Sequence, residues 1–291
     1  MIGTEPSRTA MMAAAARAAH PLVDDEPYLF RDDLAGALLG PHAEELVGYH
    51  LRHRRHPLLA AVRAQATVRS HWVETRLVAS GIDQYVILGA GLDSFGYRDP
   101  AAAIRVFEVD HPETQRWKRE ILALADISAT GELAFVPVDF EHDEPVPALA
   151  AAGVDRERPV LVSWLGVSMY LTGAAIEAVL SGLSGLPAGS ELVMEYLLDP
   201  ALRDEHGRSY AASVEPAARA QGEPWLSSFT PAALDQLLHR HGFATVAHIS
   251  HRAAVPASWW QRTDALRPVD LCRLAHARLG AAAPPLGGGA R

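Results

Sequence analysis

From Gln84 onward the chain alternates short, near-continuous apolar, β-branched runs with longer segments of helical spacing. QYVILG, IRVFEVD, LAFVPVD, PVLVSW and ELVMEYL are the runs, and 112–126, 173–186 and 231–241 are the helical candidates among them. Near-continuous apolar runs predict strands buried on both faces, and their alternation with helices predicts a parallel sheet covered on both sides. Ahead of them the period is helical: Leu58, Leu59, Val62, Ala66, Val73 and Leu77 recur at three, four or seven residues, and Gly81 suits a stop. The expected fold is therefore α/β and doubly wound, with a helical cap over 1–82 and the sheet domain over 83–291. The polar, charged stretch at 199–228 interrupts the alternation and predicts an inserted lid, after which FATVAHIS reads as a late strand. Residues 1–20 are rich in Ala and Met, and 279–291 have the composition of a frayed tail. Neither end is expected to carry chemistry alone.

Composition narrows the class. At 49% apolar and 21% charged residues the chain is globular, and a net charge of -9 argues against a phosphate-neutralising surface, hence no nucleic-acid partner. The basic cluster HLRHRRH, 50–56, reads as a solvated helix face. Pro159 to Ile176 is uncharged but broken by Ser, Gly and Thr, so it predicts a buried strand and loop and no membrane span. The single Cys272 makes no internal disulfide and no basic-then-apolar leader is evident, which together predict a cytoplasmic location.

Chemistry concentrates in VILGAGLDSFGYR, 86–98, where an apolar strand runs into Gly89-Ala90-Gly91 and lets a ligand approach the backbone. Asp110 follows Gly89 by 21 residues at the end of the next run, where a carboxylate can accept both hydroxyls of a ribose. A dinucleotide loop would want a third glycine where Ser94 stands, and Asp93 would repel a pyrophosphate. A carboxylate there tolerates a sulfonium or an amino group, so the pattern favours S-adenosylmethionine over NAD.

These residues resemble the class I S-adenosylmethionine-dependent methyltransferases of the leucine carboxyl methyltransferase type, from about Arg69 to Phe243. LGAGLDSFGYR, FEVDHPETQRWK, FVPVDF, VSWLGVSMYLT and the GEPW segment with its following helix are similar to five ordered blocks of that family. The resemblance implies a Rossmann-like sheet and a set of cofactor residues. Arg69 matches the arginine that pairs with the cofactor carboxylate, a role that suits a planar guanidinium. Gly89, Ala90, Gly91 and Asp93 form the loop, Asp110 matches the ribose ligand, and Asp139 with Phe140 matches the pair beside the adenine. Glu108 is the alternative to Asp110, set aside on the expectation that strand alternation turns it to the other face. Leu165 stands where relatives of the eukaryotic carboxyl methyltransferase type carry a glutamate, which points to a bacterial branch.

No HExxH or paired CxxC occurs and His239 and His241 alternate sides of a helix, so no metal is expected. No Gly-x-Ser-x-Gly elbow supports a hydrolase. Tyr170, Tyr196 and Trp225 are candidates for the acceptor pocket, and Arg203 and Arg208 on the lid are candidates to hold an anion. No catalytic base stands out in the matched blocks. The expected activity is O-methylation of a carboxylate or acidic hydroxyl on a small molecule such as a secondary metabolite. The alternatives are a protein that keeps the fold without methylating and, further off, a nicotinamide-dependent oxidoreductase.

Overall fold

The structure is a computed structural model and describes residues 7–98 and 103–280. Seven strands form one sheet: β1 (Gln84–Leu88), β2 (Arg105–Asp110), β3 (Leu133–Pro137), β4 (Leu161–Trp164), β5 (Glu191–Leu197), β6 (Phe243–Ser250) and β7 (Cys272–Leu279), in the order β3-β2-β1-β4-β5-β7-β6. β1 to β5 pair in parallel, and β7 runs antiparallel between β5 and β6. The order reverses at β1 and β4, and ligands of open α/β sheets bind outside the carboxyl ends of such neighbouring strands.

Two faces of the sheet are covered differently. Val86, Leu88, Phe107, Val109, Val162 and Trp164 pack with Ile176, Val179, Leu180, Leu234 and Leu238, side chains of α7 (Gly173–Leu183) and α9 (Pro231–Arg240), with α6 (Pro145–Ala151) beside them. Both long helices start on a threonine whose hydroxyl accepts an orphan N–H, Thr172 from Ala175 and Thr230 from Ala233. The opposite side chains, Tyr85, Ile87, Val106, Leu161 and Val193, meet Val73 and Leu77 of α4 (Pro57–Ser80), a helix opened by Pro57 at its first turn. On that same side α5 (Pro112–Leu124) buries Trp117, Ile121 and Leu122 against Met11, Ala14, Ala15, Leu38 and Leu39, from α1 (Arg8–Val23) and α2 (Ala35–Leu38). α3 (Ala43–Arg52) completes this group.

α1 is held by buried charge. Arg17 donates from Nε to Asp32 Oδ2 at 2.8 Å and from Nη2 to the carbonyl of Leu92 at 2.7 Å, bolting the helix to the loop after β1. Arg63 of α4 makes a two-pronged contact with Asp24, at 2.8 and 2.9 Å, at the other end of α1. Such pairs must stay complete, because removing one partner strands a buried charge and costs about 3–5 kcal/mol.

The stretch after β5 folds as α8 (Glu205–Ala220), capped by Asp204 accepting from Gly207 N, and then as an extended strap. The strap is fastened to the turn after β4: Leu226 N donates to Met169 O at 2.7 Å and Ser227 Oγ to Leu171 O at 2.6 Å. Two features depart from expectation at the carboxyl end. β7 is a strand that CRLAHARL does not announce, since Ala, Arg and His favour strands weakly. Leu279, placed at the start of the frayed tail, is a buried end of that strand, and the rest of the tail beyond residue 280 lies outside the described residues.

Candidate active site

Two cavities abut over the carboxyl ends of the strands. The strand-end cavity, about 270 Å3, is lined by the loop after β1, by Asp110 and His111 after β2, by Asp139 and Phe140 after β3, and by Leu165 to Val167 after β4. Ser7, Thr9, Ala10, Ala13 and Arg17 roof it, all but Ser7 from one face of α1. The helical cavity, about 320 Å3, lies among α1, α4, α8 and the adjoining ends of β5 and β7, with Met12, Val62, Tyr210, Val214 and Trp225 in its wall. Thr9, Ala13, Arg69, Gly166 and Tyr170 line both.

The glycine loop is shaped by what surrounds it. Gly89 has φ +68, and a Cβ there would sit 2.2 Å from Val167 Cγ2, so the turn closes only without a side chain. Gly89 N and Ala90 N both donate to Val109 O, at 2.8 and 3.1 Å, which keeps the loop against β2. Asp110 then accepts from Gly91 N at 2.6 Å and from His111 N at 2.7 Å. Burial pushes its carboxyl above the ordinary range, and the two backbone donors oppose that rise. Asp93 accepts from Phe95 N at 2.8 Å through Oδ1. Asp139 accepts from Glu141 N at 3.1 Å and pairs with His142 Nδ1 at 3.0 Å, in a turn and not at a helix cap.

Glu108 requires a correction of reasoning. It stands two residues before Asp110 on β2, and residues two apart share a face, so alternation does not separate them. Depth and partner do: Glu108 is buried, takes a 2.7 Å bond from Lys118 Nζ, and does not line the strand-end cavity. Burial lifts its carboxyl to about 7 against the pull of Lys118.

Arg69 projects from α4 into the wall between the cavities. Its Nη1 donates to Glu195 Oε2 at 2.7 Å. Glu195 is fully buried in β5; burial opposes its charge, yet Arg69, His251 and Gln65 hold its carboxyl down at about 2. Gln65 Nε2, one helical turn before Arg69, donates to Glu195 Oε1 and reaches Cys272 Sγ, both at 3.2 Å. Glu195 went unnoticed in the sequence, although a carboxylate in the middle of the mostly apolar run ELVMEYL is a signal that something must pair with it.

The acceptor candidates divide. Tyr170 and Trp225 line the helical cavity, and burial raises the Tyr170 phenol to about 12. Tyr196, Arg203 and Arg208 line neither cavity. Tyr196 points to the far face of β5 and bonds His248 Nδ1 at 2.9 Å. Arg203 Nε donates to Leu198 O at 2.8 Å and Arg208 donates to the Arg203 carbonyl, so both tie the start of α8 to β5 instead of reaching for an anion. The sequence did not single out the α1 residues, Ser70, Thr114, Met169, Tyr210 or Glu223, which line one cavity or the other.

A sequence model of the family described as leucine carboxyl methyltransferase matches residues 10–184. A candidate S-adenosyl-L-methionine-dependent methyltransferase of Bacillus subtilis (strain 168), YktD, is 34% identical over 200 residues, 68% of this chain and 66% of that protein. A candidate of the same kind from Mycobacterium marinum (strain ATCC BAA-535 / M) is 42% identical over 138 residues, 46% of this chain and 45% of that protein. The chain thus spans between about half and two thirds of the length of the curated relatives it matches. Among solved structures, a candidate methyltransferase from Thermobifida fusca YX superposes with a TM-score of 0.59 at 18% identity, over 96% of this chain and 97% of that one. A DUF574 family protein from Streptomyces avermitilis MA-4680 gives the same TM-score and identity, over 91% and 96%. Those two likenesses are of the fold. The family match covers more than half the sequence and takes in every strand that meets the strand-end cavity, and by it the chain belongs to the leucine carboxyl methyltransferase family of S-adenosylmethionine-dependent methyltransferases.

Proposed function

We propose that the protein transfers the methyl group of S-adenosylmethionine to an ionised oxygen, a carboxylate or an acidic hydroxyl, on a small molecule seated in the helical cavity. One observation carries the choice of acceptor: among the described residues lining that cavity there is no Asp, Glu or His. Its titratable side chains besides arginines are Tyr170, Tyr210 and Cys272, and burial pushes all three upward, away from serving as a base at neutral pH. An acceptor that arrives already charged needs no base. The wall is otherwise largely apolar, with Met12, Leu58, Leu59, Val62, Met169, Leu197, Val214 and Leu271, and suits the hydrophobic body of a secondary metabolite.

The cofactor fits the strand-end cavity by the chemistry of its lining. Asp110, fixed by two backbone donors, retains acceptor capacity for ribose hydroxyls; Asp139 and Phe140 offer a carboxylate to an adenine amine and a ring to its face; Arg69 offers a guanidinium to a carboxylate. The cofactor when bound supplies an electrophilic methyl on a positively charged sulfur. The residues supply alignment and dryness: α1 roofs both cavities, and the shared wall of Thr9, Ala13, Gly166 and Tyr170 is the passage across which donor and acceptor face each other. A small-molecule acceptor, with neither nucleic acid nor membrane, remains the proposed partner.

Mass spectrometry of carboxylic acids, phenols and the matching alcohols, each incubated with the protein and methyl-labelled cofactor, tests the reading. Label should enter the acids or acidic phenols, and an ester product should release it in alkali. Labelling confined to alcohols or amines would refute the acceptor class, and no labelling with retained cofactor binding would favour a non-methylating role.

A further inference from the structure

Almost every ionisable side chain that lines the strand-end cavity is already engaged. Arg17 holds Asp32 and Leu92 O, Arg69 holds Glu195, and Asp93, Asp110, His111 and Asp139 each accept from a nearby backbone N–H. Glu223 is the exception. Its Oε2 is buried and, among the described residues, has no hydrogen-bond partner. Leaving a buried carboxylate oxygen without a donor is costly and calls for an explanation, and on the wall of a cavity a ligand that supplies the donor is one.

The placement of this carboxylate is specific. Glu223 follows α8 on the strap, its N–H donates to Ala218 O at 2.9 Å, and the bonds from Leu226 and Ser227 to the 169–171 turn hold the strap down just after Trp225. The side chain is therefore presented from an anchored segment. Tyr170, in that turn, feels the negative charge of Glu223 and the positive charge of Arg69 together. Glu223 lines the strand-end cavity and not the helical one, whereas Arg69 and Tyr170 line both. A carboxylate and a guanidinium on the wall of one cavity can receive a group that carries both charges on one carbon, which is an α-amino acid.

We infer that Glu223 accepts the α-ammonium of the cofactor's methionine end, so that Arg69 and Glu223 grip the zwitterion from two sides and the strap after α8 is part of the cofactor site. This rests on the reading of the strand-end cavity as an S-adenosylmethionine site. The sulfonium is not the partner assigned, because it carries no N–H and cannot satisfy an orphan oxygen.

Calorimetric titration of the full chain with S-adenosylhomocysteine and with its analogue lacking the α-amino group reads the contact directly. The wild-type protein should prefer the amine-bearing ligand by roughly ten- to a hundredfold, the range of a charge-assisted hydrogen bond. In Glu223→Gln, which keeps the shape, the preference should fall to within about threefold, from a loss of affinity for the amine-bearing ligand alone. The comparison is made within one variant, so a general weakening cancels; Glu223→Ala, checked for an unchanged thermal transition, should behave alike. An undiminished preference in both variants would overturn the inference. So would unchanged ligand affinity accompanied by loss of the rising limb of the kcat pH profile, which would make Glu223 a base toward the acceptor. If the wild-type protein binds neither ligand, the cofactor reading of the cavity fails, and this inference with it.

Discussion

The two cavities share a wall but are assembled in opposite ways. The strand-end cavity is built from the residues that directly follow β1, β2, β3 and β4, each a short step along the chain from the last residue of a buried strand. The helical cavity gathers Met12 of α1, Val62 of α4, Tyr210 of α8 and Leu271 ahead of β7, residues separated by about 50 or more positions, and of these helices α1 and α4 are tied by the buried Arg63–Asp24 pair. A sheet edge positions ligands for the nucleoside by backbone register, while the proposed acceptor pocket is positioned by side-chain packing. Apart from its α1 roof and Arg69, the first should tolerate change in the helices, and the second should be open to it.

The largest test of that contrast is Glu195, which the two halves hold in common through Arg69. Glu195→Ala leaves a buried guanidinium unpaired and should cost about 3–5 kcal/mol in chemical unfolding, with weakened binding in both cavities. The pH sign follows from its carboxyl, held near 2 instead of its usual 4.5. A depressed carboxyl contributes stability that is complete above about 4.5 and drains away as pH falls toward 2, so the variant and the wild type should converge in acid.

Asp110→Ala confines the damage to one half. It should weaken cofactor binding by roughly 1–3 kcal/mol by calorimetry and leave any acceptor affinity measured with saturating cofactor nearly unchanged. Glu108→Ala should weaken binding less while destabilising the fold more, since it deprives Lys118 of its buried partner. Val62→Trp is the reverse case, filling the helical cavity from α4. Acceptor kcat/KM should drop by roughly tenfold or more, about 1.4 kcal/mol, while S-adenosylhomocysteine affinity holds.

The least disturbance to either cavity belongs to Glu108→Gln. Its carboxyl is raised to about 7 by burial, so in the wild type stability is fully present below about 4.5 and declines as pH rises through 7. Thermal melts across pH 4.5 to 7.5 should show that decline flattened in the variant, with ligand affinity altered by less than about threefold. A slope that survives would move its origin to another carboxyl, such as Glu74, which burial also lifts to about 7.

The same contrast explains what the sequence disclosed. Six of the strands, and the glycine loop with its distant aspartate, could be read because local apolar runs and fixed spacing encode them. Tyr196 was misjudged through parity: it alternates with Glu195 along β5, so the residue turned toward Arg69 is the carboxylate and the tyrosine goes to the opposite core. Arg203 and Arg208 looked available because nothing local reveals that each guanidinium is tied to a backbone carbonyl away from both cavities. β7 escaped because its strand character is imposed by β5 and β6 on either side of it. The roofing role of α1 escaped because an Ala-rich helix has no chemical signature until Arg17 and Asp32 fix which face looks down.

Gly166 has φ +70, and a Cβ on it would lie 2.6 Å from Arg69 Nη1. Within a lineage this one missing methyl group constrains variation unevenly. Substitutions on α4 and α8 can retailor the acceptor pocket stepwise, each intermediate keeping its cofactor. A side chain at 166 would displace the guanidinium that both pockets lean on, so no gradual path leads through that position. Acceptor preference is thus free to diversify among descendants of this fold, around a shared hinge of chemistry that must be inherited whole.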